Sequence, residues 1–160
     1  MSITLSGHPI EVRYRDSLAD TSGNPADAAT FIRQRLIVLD LELQRNPKEH
    51  ARILVHELFH FVWVRLGNQK RRAWEELLQS EWNQDARGEA GWSAEWRKRK
   101  LLPIDAERRT RKWREYCCES FCDTAACLET GTRAEVTLAA RRLAVRQDWL
   151  AEQLPDPLPI

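Results

Sequence analysis

One stretch constrains this chain more than any other. From Ile53 to Val64 the sequence is apolar at almost every position. A helix apolar on nearly every face has to lie inside a domain. Its polar interruptions are His56, Glu57 and His60, with His50 just before them. The boundaries read as helical. Asn46 suits the N-cap, Pro47 the first turn and Glu49 the position that reaches back to the cap, while Gly67 supplies the stop. The spacing therefore predicts a helix over 47–66.

His56-Glu57-Leu58-Phe59-His60 is an HExxH motif. With 4 His and 15 Glu in 160 residues, chance expects about 0.01 such matches per chain. Residues i and i+4 stand one above the other on a helix face, so two imidazoles can converge on a single Zn²⁺. Glu57 projects from the same side. It is the candidate general base, taking a proton from a metal-activated water and returning it to the leaving amine. The bland alternative is a pair of core histidines bound to nearby carbonyls. Leaving two histidines and a glutamate unsatisfied in an apolar helix is costly.

A catalytic zinc takes three protein ligands and keeps an open position. One extended form of the motif places Gly three residues after the second His and a third His beyond it; here Trp63 and Leu66 stand there. No histidine follows His60, so the third ligand has to be a carboxylate or a cysteine. The segment from Glu115 to Asp123 offers both. Glu119 and Asp123 form an i, i+4 pair, and Glu115 is an alternative ligand on the same helix.

In these residues the chain resembles the gluzincins, zinc peptidases whose HExxH helix is followed by a helical Glu-xxx-Asp. The run from Glu119 to Ala126 is similar to the second motif of small bacterial gluzincins, including minigluzincins and ImmA/IrrE-like peptidases. The resemblance implies one zinc ion held by His56, His60 and Glu119, with Asp123 bonded to the outer nitrogen of His56. It also implies an α+β, zincin-like domain spanning 1–160. A small N-terminal antiparallel or mixed sheet packs on the active-site helix, and the C-terminal half is helical. The expected substrate is a peptide or protein.

Other residues around the motifs have weaker expectations. Tyr116 is a candidate oxyanion donor, while His50 and Cys122 could line the cleft. Cys117, Cys118, Cys122 and Cys127 fall on one helix and read mainly as small buried hydrophobes. His8 lies in a turn.

Charge is unevenly spread. Residues 1–64 carry 7 basic and 8 acidic side chains, residues 65–114 carry 14 and 8, and residues 115–160 carry 4 and 8. The middle segment also holds five of the seven tryptophans. It reads as a helical insertion over 68–112, with helices near 70–86 and 93–101, and is expected to wall or cover the cleft. Its basic stretch, 97–114, interleaved with Trp113, is the basis for a rival reading as a nucleic-acid-associated regulator. A second rival is an inactive metal-binding adaptor. No apolar run reaches membrane-spanning length, so no membrane partner is expected and the location is read as cytoplasmic.

The remaining elements are a hairpin over 3–14, a loop over 17–30, a strand over 35–43, a helix over 105–130 and a last helix beginning at Thr132. In that last helix, Val136, Ala139, Leu143, Ala144 and Leu150 point to the core. Strand 35–43 or its neighbour 10–14 is expected to form the substrate rim.

Overall fold

The computed structural model describes residues 4–20 and 22–160. Strands β1 (Leu5–Ser6), β2 (Glu11–Arg15), β3 (Ala28–Phe31) and β4 (Leu36–Asp40) are followed by helix α1 (Pro47–Arg65). Helices α2 (Gly67–Asn83), α3 (Trp92–Lys98), α4 (Pro103–Glu107), α5 (Arg111–Thr130) and α6 (Ala140–Gln153) complete the helical part, and β5 (Leu158–Pro159) ends it. This is an α+β architecture with small sheets before a helical majority. Among the described residues, no helix is long and apolar enough to cross a membrane.

The sheet differs from the expected hairpin. β1 pairs in parallel with β5, not with β2, and β2 pairs in parallel with β4. Ile3 lies outside the described residues. β3 runs antiparallel to β4 with Thr30 opposite Ile37, giving the order β2-β4-β3. The expected loop over 17–30 thus ends in a strand. The cue was Ala28-Ala29-Thr30-Phe31-Ile32, short and flanked by Asp27. β4 itself stops at Asp40, whose carboxylate accepts from the backbone N–H groups of Leu18 and Glu42. That side chain starts a 3₁₀ turn over Leu41–Arg45 in place of the rest of the expected strand.

Helix α1 follows its sequence signals. Asn46 Oδ1 accepts from Glu49 N at 3.3 Å, and Gly67 takes a positive φ of 77°. Glu49 itself turns to Arg52 instead of reaching back to the cap. The expected helix over 105–130 is two. Thr110 donates to Asp105 Oδ1 at 2.6 Å and caps Trp113 N, and Arg109 takes φ 49°. The capping hydroxyl closes α4 and opens α5. The last helix begins at Ala140, not Thr132, because the backbone N–H groups of Thr137 and Leu138 are held by Glu89 O. Leu143 and Leu150 are buried as expected; Ala139 and Ala144 are exposed.

The main core seam lies between α1 and α5. Phe121 packs against Phe59, Trp63 and Trp74 in tilted and edge-on geometry, with ring centroids 5.7, 5.2 and 5.6 Å apart. A fully buried aromatic of this kind stabilises by about 1.5–3 kcal/mol. Trp74 and Trp113 are buried too, the former donating to Cys117 O at 3.0 Å. The seam fixes the two helices that carry the candidate site.

Candidate metal centre

α1 presents His56, Glu57 and His60 on the face that meets α5, and α5 presents Glu119 and Asp123 one turn apart. His56 Nδ1 lies 2.8 Å from Asp123 Oδ1, and His56 Nε2 lies 3.2 Å from Glu119 Oε2. The imidazole thus lies between two carboxylates, one close to each nitrogen. Asp123 is 1% exposed at its side chain, and Oδ2 accepts from Ala94 N at 2.8 Å at the start of α3. Oδ1, although close to the imidazole, receives no well-directed hydrogen bond.

Glu57 lies on the same side. Its Oε2 accepts from Thr30 Oγ1 at 2.6 Å and lies 3.9 Å from His60 Nε2. Nothing in the sequence singled out Thr30, because the strand that carries it read as loop. The cavity between α1, α3, α5 and β3 has a volume of about 340 Å³ and is lined by His56, Glu57, His60, Glu119, Thr30 and Arg97 among others. The strand forming its rim is therefore the edge strand β3, not β4, which is central, or β2, on the far edge. The insertion does reach the cavity, through Ser93 and Arg97 of α3. Its tryptophans do not: Trp74 is buried, Trp82 is half-buried, and Trp92 and Trp96 face solvent.

Electrostatics favour an ionised carboxylate facing the imidazoles. Burial opposes ionisation of Glu119, but its bond to His56 and the charges of His60, His56 and Arg97 hold its pKa at about 2. Arg97 supplies one of these charges at 3.0 Å. Burial alone would lower the pKa of His56; Asp123 and Glu119 outweigh it and raise it well above the usual value. His60 is raised against the same burial penalty, chiefly by Cys118.

The cysteines are closer than a purely apolar role requires. Cys118 and Cys122 each place Sγ 3.5 Å from His60 Nδ1. The Cys118 thiol is lowered by a bond from Cys122, whereas burial raises Cys122. Donor atoms of His56, His60 and Cys122 also lie within 4.8 Å of one another. Cys122 is thus a candidate for the third position beside Glu119.

The remaining candidates lie elsewhere. Glu115 pairs with Arg111 at the surface. Tyr116 is buried and donates to Glu89 Oε1 at 2.6 Å, away from the cavity, so it cannot act as the expected oxyanion donor there. His50 hydrogen-bonds Tyr14 at 2.8 Å on an exposed face. His8 contributes a carbonyl to Arg35. The basic segment is largely matched internally: Arg97 pairs with Glu119, Lys98 with Glu89, Arg99 with Glu95, Arg109 with Glu75 and Arg111 with Glu115.

No family model, curated protein or solved structure matches the chain.

The donor set suits a borderline-soft divalent ion: two imidazoles and a carboxylate, with a buried carboxylate oxygen directed at the outer nitrogen of the first imidazole. These residues fit zinc.

Proposed function

We propose that this chain is a zinc-dependent peptidase of the gluzincin type, with a zincin-like fold. One observation carries the reading: His56 is held between Glu119 at Nε2 and Asp123 at Nδ1 while Glu57 stands free of both. That divides the acidic residues into one facing the metal position, one behind the imidazole and one left for protons. His56, His60 and Glu119 would hold the ion, which supplies Lewis acidity to the water and to the scissile carbonyl. Thr30 engages Glu57 Oε2, so Oε1 is the atom left to take a proton from water as oxygen attacks the carbonyl carbon. The same carboxyl returns that proton to the departing nitrogen as the C–N bond breaks. Asp123 fixes which nitrogen of His56 faces inward.

A second reading is a metal-holding protein without hydrolytic activity, favoured by the approach of Cys122 to the two histidines. A His₂Cys set accommodates zinc as readily. One experiment separates the two. Zinc-loaded protein is assayed by elemental analysis and for cleavage of unfolded casein, beside Glu57→Gln and His60→Ala. The peptidase reading expects one zinc per chain with Glu57→Gln inactive but loaded, and His60→Ala neither active nor loaded. Loaded protein that never cleaves supports the second reading.

A further inference from the structure

A second cavity, of about 510 Å³, adjoins the first. Trp63 lines both. The relation is built into the helices. On α1, His60 faces the first cavity, and Trp63, a turn further on, is the wall between them. On α5, Cys118 faces the first cavity and Arg114, one turn earlier, faces the second. A helical turn rises about 5.4 Å, which extended peptide covers in two residues at about 3.3 Å each. The two cavities are thus neighbours that share Trp63, the second opening between α2, the turn before α5 and the first turn of α5.

The second cavity is strongly cationic. Arg71, Arg72, Arg109 and Arg114 line it, opposed by one carboxylate, Glu75. That carboxylate is already matched: Arg109 holds it with two bonds, of 2.5 and 2.9 Å, from a backbone at φ 49°. Arg71, among the described residues, bonds the neutral Asn68 side chain and Gly67 O. Among the described residues, no carboxylate pairs with Arg71, Arg72 or Arg114. Three guanidinium groups therefore face one hollow uncompensated, while most other cations of the basic segment are paired. Such forks are suited to binding carboxylates in bidentate geometry.

We infer that this arginine-lined cavity is a specificity pocket for acidic side chains of an extended peptide. The peptide's main chain runs along β3, and its reacting bond lies over His56 and His60. The inference rests on the peptidase reading and names its substrate class: flexible, acidic segments, with the carboxylates two or more residues from the bond cleaved. A nucleic-acid strand is the less suited polyanion. Base stacking needs open aromatic faces, but Arg99 lies over Trp92 at 5.7 Å and Lys100 over Trp96 at 3.2 Å.

The test is a binding measurement on zinc-loaded Glu57→Gln protein by fluorescence anisotropy. The probes are a labelled Ala₄Glu₄ peptide, its Ala₄Gln₄ counterpart and an oligothymidine of eight nucleotides. The Glu peptide should bind about tenfold or more tighter than the Gln peptide. Arg72→Ala with Arg114→Ala should erase that preference and leave Gln-peptide binding unchanged; both side chains are exposed, so the fold tolerates the change. Arg141→Ala, on the exposed face of α6, should change nothing. Equal affinity for the two peptides overturns the inference. So does tighter binding of oligothymidine with the same arginine dependence. Casein cleavage by wild-type protein reports separately on the peptidase reading, so a silent protease that still prefers the Glu peptide leaves the arginine pocket standing and removes only the chemistry.

Discussion

Gly91 lies directly against the carboxylate of Asp123: a Cβ at Gly91 would stand 2.5 Å from Asp123 Cγ and under 3 Å from both oxygens. The backbone there is extended, so the requirement for glycine is space and not φ. The absent side chain lets α3 begin against the group that backs His56. Gly91→Ala should push Asp123 off the imidazole. We expect zinc affinity to fall about 10–100-fold, as when a ligand's hydrogen-bond partner is lost. Titration against a competing chelator measures it; an unchanged constant refutes the role given to Asp123.

The third ligand can be decided by truncation. Glu119→Ala should abolish zinc binding, because Nε2 of His56 loses the carboxylate facing it. Cys122→Ala should keep one zinc, because its sulfur meets His60 at Nδ1 while Nε2 turns toward Glu57. The opposite pattern in elemental analysis makes cysteine the ligand.

Thr30 should matter to rate more than to binding. Its hydroxyl donates to Glu57 Oε2 at 2.6 Å, much closer than the His60 ring at 3.9 Å. A hydrogen bond to a charged group contributes about 1.5–3 kcal/mol, so Thr30→Val should lower kcat about tenfold or more at constant zinc content. A change confined to KM would indicate that Thr30 serves only the rim.

Stability should depend on pH through a buried network on the other face of α5 from the cavity. Glu89 is fully buried and is reached by Arg146, Lys98, Tyr116 and Ser120. Burial opposes its ionisation, yet Arg146 and Lys98 hold its pKa at about 2, against 4.5 ordinarily. The folded value lies below the unfolded one. Its stabilisation, of about 3 kcal/mol, is therefore fully present above pH 4.5 and lost as pH falls toward 2. Urea unfolding of Glu89→Gln should show a deficit at neutral pH that closes on acidification. A deficit independent of pH contradicts this. Arg146→Ala, leaving Glu89 and Glu81 buried without their shared cation, should cost about 3–5 kcal/mol.

How much could be read from residues alone varies with the range of the interaction. Helix α1 was legible because its cap, its apolar faces and its stop are all local. Glu119 and Asp123 were legible because helical spacing puts them on one face, whichever partner they meet. Tyr116 was misread for the complementary reason: the same helix has a second polar face, toward Glu89, that spacing cannot distinguish from the first. Glu89 itself carried no periodic signal, lying in the irregular stretch between Gly88 and Gly91. Arg146 interrupts the apolar stripe of Leu143 and Leu150, a break that could have pointed to a buried ion pair. Pairing of β1 with β5 joins segments more than 150 residues apart, and no local pattern encodes that.

β3 has one more consequence. It is four residues long, it borders β4 on one side, and among the described residues no strand meets its other edge. Alternate residues of a strand turn their amide and carbonyl groups to the same edge, so this strand can exchange only about two to four main-chain bonds with an incoming segment. At roughly 1 kcal/mol each, such bonds hold a peptide no more tightly than about millimolar. A rim this short aligns a chain and cannot select one; whatever discrimination the groove exercises has to come from side chains beyond it.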